Sequence, residues 1–203
     1  PRKGLENAGY QIDEGVYNFF DGEKSKYARQ SIQMDNYSTS TFFIGEIKPS
    51  TYTFNVDHNE AAVVFISRCG GEGLDLSRNM KADSETQGSK DILEGKGKGV
   101  TAEMAQNAKD EVANYENGQH ELELSKEEKE MISFAKSNYS KVVIVLNNST
   151  TMEIGNLKDD DDIDGILWAG SPGVTGFNSL GKILKGSVSP SGRTPDIYSR
   201  DFT

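Results

Sequence analysis

The sequence has very few of the side chains that form covalent links or metal sites. Among its 203 residues there is one cysteine, Cys69, so an intrachain disulfide is excluded. The two histidines, His58 and His120, have no cysteine near them in the sequence, which does not suggest a zinc site. No apolar run approaches the ~20 residues that span a bilayer. We therefore expect neither a metal, nor a cofactor, nor a membrane segment.

Basic residues are also scarce, since the chain has 22 Lys and Arg against 32 Asp and Glu, a net charge of −10. Phosphate backbones are bound by basic surfaces, so a nucleic-acid partner is disfavoured, whereas a neutral substrate is compatible with an acidic surface. No signal peptide is visible, but the sequence begins at Pro1 rather than Met, so missing targeting signals say little. The compartment stays open, with a bacterial cytoplasm as the expectation.

Three short apolar runs predict strands that are buried on both faces. They are Ala61–Ile66, Lys141–Leu146 and Ile163–Trp168. Helices are predicted at Pro1–Ala8, after Asp13, after a capping box of Ser125 and Glu128, and at Gly176–Leu184. This alternation predicts an α/β fold, a three-layer sandwich with a mostly parallel sheet. Because the sequence begins on a helix, we expect the first strand of the domain to be missing from its N-terminus.

Residues 77–120 are the part of the sequence that least resembles a protein core. Three glycines, Gly95, Gly97 and Gly99, alternate with lysines here, and Thr101–Tyr115 could form a polar helix. Long loops without secondary structure are uncommon and are either functional or disordered. We therefore predict a single domain over residues 1–203 with a polar excursion at about residues 77–120. The excursion is either a lid or a long surface loop, and it is predicted to be the most mobile part of the chain.

A glycine-rich turn directly follows the first predicted strand. Gly70, Gly71 and Gly73 surround a single carboxylate, Glu72. Glycines let the backbone turn sharply, and the carboxyl ends of strands in open α/β sheets are where ligands bind. One interpretation is that the turn presents Glu72 as a functional carboxylate. The alternative is an ordinary glycine turn with a solvated glutamate.

Two other motif matches fail because a required residue is missing or stands in the wrong order. Three alternating aspartates at positions 160, 162 and 164 fit the opening of a calcium loop, but the twelfth position holds Ser171 instead of glutamate, which favours a solvated turn. Ala169–Gly173 is similar to the nucleophile elbow of α/β-hydrolases, but both histidines precede its serine, which favours a tight turn into a helix. Trp168, at the end of the third strand, is predicted to be structural, with a partner for its indole N–H.

Three ordered blocks resemble one known family. The first is Val64–Arg68 with Gly71–Gly73 and Asp75, the second is Val142–Asn147 with Ile166–Gly170, Pro172–Gly173 and Gly176, and the third is Pro190–Arg193. Together they cover about half of the chain. The three blocks, in this order, resemble the second domain of glycoside hydrolase family 3, as in β-glucosidases. The tail from Arg193 to Thr203 is most similar to bacterial members in which this domain precedes the barrel.

The resemblance implies an α/β sandwich that packs against a (β/α)8 barrel of the same polypeptide and lends it a loop. It implies a retaining β-glycosidase that hydrolyses terminal β-linked sugars of an oligosaccharide or glycoside. In members with this loop the glutamate is the general acid/base, and the matching residue is Glu72. Leu76 stands where many relatives have an arginine, which removes a charge contact. The residues expected to bind substrate or support the loop are Arg68, Gly71, Gly73 and Asp75.

The nucleophile of the family is an Asp on the barrel, followed by Trp, and that motif is absent here because the one tryptophan follows Leu167. The chain alone is therefore expected to be inactive. One alternative is a sugar-binding or structural support module without a catalytic residue. A support module would need no carboxylate on a triple-glycine turn, so Glu72 distinguishes the two interpretations. Another is an independent nucleotide-binding α/β domain, which would need a glycine-rich phosphate loop after its first strand, and none is visible.

Overall fold

The computed structural model describes residues 1–23, 47–68, 76–96 and 100–202. The chain divides into two compact units. The first contains Pro1–Phe19, Thr53–Arg68 and Ile132–Thr203, and the second contains Phe20–Tyr52 and Cys69–Met131. The loop residues Gly71, Glu72, Gly73 and Asp75 lie outside the described residues. The prediction of a single domain over residues 1–203 stays a prediction.

The first unit is built on a parallel sheet of three strands in the described part of the chain. Its strands are β1 (Ala62–Arg68), β2 (Val142–Asn148) and β3 (Gly165–Trp168), in the order β1-β2-β3. Both neighbouring pairs are parallel. The predicted α/β class and parallel sheet are therefore confirmed, while the missing first strand stays a prediction.

The buried faces of the strands explain why these residues form a sheet. Val64 and Ile66 on β1 and Ile144 and Leu146 on β2 are at most 7% exposed. Val145, which points to the opposite face of β2, is also fully buried, as expected for the central strand of a parallel sheet. On that second face, Phe65 of β1 makes an edge-to-face contact with Phe177, with ring centroids 5.6 Å apart.

Nine α-helices and two short 3₁₀ helices are described. The α-helices are α1 (Arg2–Asn7), α2 (Glu14–Glu23), α3 (Met80–Ser84), α4 (Gln87–Leu93), α5 (Ala102–Val112), α6 (Lys126–Asn138), α7 (Gly155–Lys158), α8 (Gly173–Gly176) and α9 (Leu180–Leu184). The 3₁₀ helices are Pro49–Thr51 and Phe177–Ser179. None of the described helices combines the length and the hydropathy that a membrane span requires.

The predicted caps are confirmed by their hydrogen bonds. The backbone N–H of Val16 donates to Oδ1 of Asp13 at 3.1 Å, and Asp13 also accepts from the backbone of Asp57 and His58. Burial alone would raise the pKa of Asp13, but its backbone N–H donors together lower it. The segment before β1 is therefore a loop fixed to the start of α2.

The capping box of α6 is reciprocal. The N–H of Glu128 donates to Oγ of Ser125 at 3.0 Å, and the N–H of Ser125 donates to a carboxylate oxygen of Glu128 at 2.9 Å. Further along the helix, Ile132 and Ala135 are buried.

The predicted helix Gly176–Leu184 differs in the structure, where α8, a 3₁₀ turn and α9 follow each other. Gly173, Gly176 and Gly181 are poor helix formers and interrupt the pattern. Gly181 is needed because α9 lies directly against α1, where a Cβ atom at Gly181 would overlap the carbonyl oxygen of Gly4. The chain leaves α9 at Gly186, which has a left-handed φ of 72°.

In the second unit, most of residues 77–120 are helical, so the interpretation as a surface loop is wrong for the described residues. Ile92, Ala108 and Tyr115 form a small buried cluster, and the partly buried residues packed against it are Met80, Leu93, Val100 and Val112. The predicted polar helix is α5, which is capped by Thr101. The greater mobility of this segment stays a prediction.

The two ends of the segment 77–121 are joined to each other. The N–H of Glu121 donates to the carbonyl oxygen of Ser77 at 3.0 Å, and the N–H of Ser77 donates to Oε2 of Glu121 at 2.6 Å. The N–H of Met80 donates to the carbonyl oxygen of Gln119 at 2.8 Å. These hydrogen bonds hold the first and last residues of the helical segment next to each other.

Candidate functional site

The carboxyl edge of the parallel sheet brings together the ends of its three strands. Arg68 ends β1 and lies in register with Asn148, which ends β2, while Trp168 ends β3 beside them. Ligands of open α/β sheets bind beyond this edge. The edge is therefore the candidate functional site, and Arg68 is the predicted site residue that the structure places there.

Arg68 is almost fully buried, with 6% of its surface exposed. One guanidinium N–H donates to the carbonyl oxygen of Ser67 at 2.8 Å. A buried guanidinium is costly unless acceptors surround it, and it places a fixed positive charge at the end of β1. Arg68 can therefore orient or stabilise negatively charged groups at this edge, which fits the loop-supporting role predicted for it.

Asn148 connects the ends of the strands, and the sequence analysis does not predict it as a site residue. Its carbonyl oxygen accepts from the indole N–H of Trp168 at 3.0 Å, and its Oδ1 accepts from the hydroxyl of Tyr198 at 3.4 Å. Asn148 is fully buried, and its Nδ2 has no partner within the described part of the chain. Nothing in the sequence pattern links Tyr198 to Asn148, because 50 residues separate them.

The partner predicted for the indole N–H of Trp168 is confirmed, and it is the backbone carbonyl of Asn148. Its ring is half-buried and lies against Gly170, where a Cβ atom would be 3.0 Å from the ring. Gly170 has a φ of 59°, so both the turn and the ring contact require glycine. Trp168 therefore fixes the end of β3, and its packing against the following helices stays a prediction.

Ser171 is the only non-glycine residue with a positive φ in the described ranges, at 55°. Such strain is found at catalytic turns, including nucleophile elbows. Both histidines of the chain precede it, however, and its side chain makes no hydrogen bond to the described residues. The turn into α8 therefore lacks the base that a serine nucleophile needs, as the sequence predicts.

The aspartates at positions 160–164 have structural partners. Asp160 accepts from Nζ of Lys136 at 2.6 Å, and this hydrogen bond is the main cause that lowers the pKa of Asp160. Asp164 accepts from the N–H of Val142 and so fixes the start of β2. No group of three or more His, Cys, Asp or Glu side chains able to hold a metal occurs among the described residues. Asp160 and Asp164 thus have structural partners within the chain.

The C-terminal segment is tied to the turn that follows β2. The N–H of Ile154 donates to the carbonyl oxygen of Ser199 at 3.0 Å, and the N–H of Phe202 donates to Glu153 at 2.8 Å. Burial, followed by the charge of Asp196, raises the pKa of Tyr198, so its hydroxyl stays protonated and can donate to Asn148. This network holds the C-terminal segment at the carboxyl edge.

Comparison with known proteins gives a consistent set of relatives. Residues 49–202 match the family model described as "Glycosyl hydrolase family 3 C-terminal domain". Beta-glucosidase A of Butyrivibrio fibrisolvens is 30% identical over 144 residues, which is 69% of this chain and 15% of that protein. A beta-glucosidase of Ruminococcus albus is 33% identical over 76 residues, which is 37% of this chain and 8% of that protein. A probable beta-D-xylosidase 6 of Arabidopsis thaliana is 33% identical over 84 residues, 40% of this chain and 11% of that protein. The chain thus spans only a small part of the length of these curated relatives.

Proposed function

Because the chain belongs to glycosyl hydrolase family 3, whose C-terminal domain model matches residues 49–202, we propose that it is the non-barrel domain of a retaining β-glycosidase. Its substrates are glycosides with a terminal β-linked sugar, and its partner is a (β/α)8 barrel domain of the same polypeptide. The family match, which covers the whole described sheet, is the observation that carries this proposal. The names of the relatives, beta-glucosidase and beta-D-xylosidase, support the substrate class.

Glu72 is proposed as the general acid/base. Retaining glycosidases use two carboxyl groups about 5–5.5 Å apart, one as the nucleophile and one to protonate the leaving group and later deprotonate water. Glu72 follows Arg68, the last residue of β1, by four positions, a length of chain that reaches at most about 14 Å. The nucleophile is supplied by the barrel, so neither domain can hydrolyse a glycoside alone.

The neighbouring residues are proposed to support this carboxylate. Gly71 and Gly73 allow the turn that carries Glu72, because they have no Cβ atom to restrict the backbone. Arg68 contributes its buried positive charge at the end of β1, and Asp75 completes the predicted loop. A general acid must be protonated near neutral pH, and burial of Glu72 beside the nucleophile of the barrel would raise its pKa accordingly.

The proposal is tested by measuring how the effect of Glu72→Ala on turnover depends on the leaving group of the substrate. The measurement uses the polypeptide encoded by the complete reading frame. General acid assistance contributes about 10²–10⁴-fold, so Glu72→Ala should lower turnover of an alkyl β-glucoside by about that factor. Release of an activated phenolate needs no proton, so formation of the glycosyl-enzyme from an aryl glucoside should be nearly unchanged. Glu60→Ala, an exposed glutamate before β1, is the matched control and should leave both reactions unchanged.

Equal losses on both substrates would remove Glu72 from the mechanism and favour the support module. The 203-residue chain should fold but show no turnover of aryl β-glucosides above background. Turnover by this chain alone would contradict the division of the two carboxylates between two domains.

A further inference from the structure

The helical segment at residues 77–121 is held firmly at the residue where it begins. Besides the two hydrogen bonds between Ser77 and Glu121, Oγ of Ser77 donates to Oδ2 of Asp83 at 2.5 Å. The same Oγ accepts from the N–H of Asn79 at 3.2 Å. Ser77 is thus bonded through its backbone and its side chain at once, so the helical segment has a fixed point of attachment.

The helical segment also has a buried interior. Ile92, Ala108 and Tyr115 are at most 6% exposed and pack together. Ser89 is fully buried, and its hydroxyl donates to the carbonyl oxygen of Asp83 at 2.7 Å, which joins α4 to α3. The segment is therefore a folded body that excludes other groups from the volume it occupies.

This folded body begins close to the proposed acid/base. Ser77 follows Glu72 by five positions, a length of chain that reaches at most about 18 Å. A compact body of the length of the helical segment has a radius of gyration of about 9 Å, so that reach is comparable with its own diameter. In the proposed function, Glu72 protonates the oxygen that joins the sugar to its leaving group. On that assignment, the helical segment is a neighbour of the leaving group.

The surface of the helical segment has few groups that could hold a sugar ring. Tyr115 is its one Phe, Tyr or Trp residue, and it is buried, with its hydroxyl 3.5 Å from a carboxylate oxygen of Glu111. The exposed large hydrophobic side chains of the described residues all lie elsewhere in the chain. Ligand sites are lined mainly by apolar and aromatic side chains. The helical segment is therefore suited to exclude a ligand by its volume and not to bind one.

We propose that the helical segment is a specificity-determining wall that limits the length of the leaving group. Glycosides whose leaving group is a single ring are then preferred over longer oligosaccharides. This inference rests on the proposed function, because the segment lies beside the leaving group only if Glu72 is the acid/base. No attractive contact is required, since a clash that arises only with the longer substrate is enough to discriminate against it.

The first test uses the unchanged polypeptide encoded by the complete reading frame and β-linked oligosaccharides of the sugar that it accepts. The kcat/KM should be at least ~10-fold lower for a tetrasaccharide than for the disaccharide, whose leaving group is one sugar. Equal values would overturn the wall and leave the proposed function intact. Absence of hydrolysis of every oligosaccharide and of an aryl β-glucoside would overturn both.

The second test removes the wall. Replacement of residues 79–119 by Asn-Gly, the sequence of a two-residue hairpin turn, keeps Ser77 and Glu121 next to each other. The shortened polypeptide should hydrolyse the tetrasaccharide and the disaccharide with similar kcat/KM, while its turnover of an aryl β-glucoside should be nearly unchanged. A tetrasaccharide-to-disaccharide ratio that stays as low as in the unchanged polypeptide would contradict the inference.

A pair of point variants decides the matter if the shortened polypeptide does not fold. Ile92→Ala leaves a cavity inside the helical segment, which loosens the wall and should raise the tetrasaccharide-to-disaccharide ratio of kcat/KM. Ile144→Ala makes the same change at an equally buried position in the sheet and should leave that ratio unchanged. Equal effects of the two variants on the ratio would show that general destabilisation is the cause and would overturn the inference.

Discussion

The sheet of the first unit and the helical segment at residues 77–121 are held together in different ways. In the sheet, Ala62 pairs with Val142, so strands that are 80 residues apart in sequence must find one register. In the helical segment, the backbone and carboxylate of Glu121 bond to Ser77, and the cluster around Ile92 and Tyr115 lies between these ends in sequence. The sheet thus depends on long-range pairing, whereas the segment closes on itself.

This difference indicates that substitutions in the sheet endanger the fold more than substitutions in the helical segment do. A register shift in the sheet would turn its buried faces towards solvent, so substitutions there are costly. The helical segment has a small core and a polar closure, and its stability is expected to be the lower of the two. The predicted mobility of residues 77–120 follows from this, and slower amide exchange in α3–α5 than in β2 would contradict it.

The largest effect is expected in the centre of the sheet. Ile144 is completely buried on β2, and Ile144→Ala should lower the free energy of unfolding by about 2–5 kcal/mol because it removes apolar contacts and leaves a cavity. Trp168 is the one tryptophan and lies in the same sheet, so its fluorescence reports this unfolding. Ile144→Val should cost about 0.5–1.5 kcal/mol, and Ile197→Ala, at an exposed position, should cost almost nothing. A loss below ~1 kcal/mol for Ile144→Ala would show that β2 is not the centre of the core.

A second prediction uses glycines of the two regions. Gly181→Ala should destabilise the first unit by about 1–3 kcal/mol, because the new Cβ would overlap Gly4 and lie 2.8 Å from the Cβ of Ala8. Gly88→Ala, in α4, is the matched control, since no atom lies within 4 Å of the added Cβ. It should stabilise its helix by up to ~1 kcal/mol. Chemical denaturation measures both changes, and equal signs would refute the close contact of α1 with α9.

A third prediction tests the closure of the helical segment. Glu121→Ala removes the carboxylate that accepts from the N–H of Ser77 at 2.6 Å, a charge-assisted hydrogen bond in a buried position. We expect a loss of about 1–3 kcal/mol in the local stability of α3–α5, seen as faster amide exchange in those helices. Glu116→Ala, an exposed glutamate of the same segment, is the control and should change exchange very little. Unchanged protection of α3–α5 in Glu121→Ala would mean that the closure does not depend on this carboxylate.

The smallest effect is a pH dependence at Asp13. The pKa of Asp13 is below its usual 3.8 in the folded chain, so its ionised form contributes stability above that pH. The contribution is lost as the pH falls from 3.8 through the folded pKa. Asp13→Ala should therefore cost about 1 kcal/mol at pH 7, as for other helix caps, and less at pH 3. A cost that does not depend on pH would contradict the role of the carboxylate.

The parts of the structure that the sequence predicts are those fixed by local signals. The runs before Arg68 and Asn148 are apolar and β-branched, and both are strands in the structure. The spacing of Ser125 and Glu128 predicts the start of α6 because a capping box needs only those two side chains. Asp13 is recognisable as a cap for the same reason.

The remaining features depend on partners that are distant in sequence. The close approach of Gly181 in α9 to Gly4 of α1 is a contact that no local pattern contains. The core of residues 77–121 is missed because its apolar residues are few and most of them are divided among three short helices. At the site, Arg68 is predicted from its position after the strand, whereas the bond between Tyr198 and Asn148 joins two segments that share no motif.

The central claim is that Glu72 supplies the acid/base of a retaining glycosidase, and azide rescue tests it most directly. In the complete polypeptide, Glu72→Ala should form the glycosyl-enzyme from an activated aryl β-glucoside but should hydrolyse it slowly, because no base activates water. Azide needs no base, so it should restore turnover and yield the β-glycosyl azide, and Glu60→Ala should show no such product. Failure of azide to restore turnover, or a product of α configuration, would contradict the assignment of Glu72.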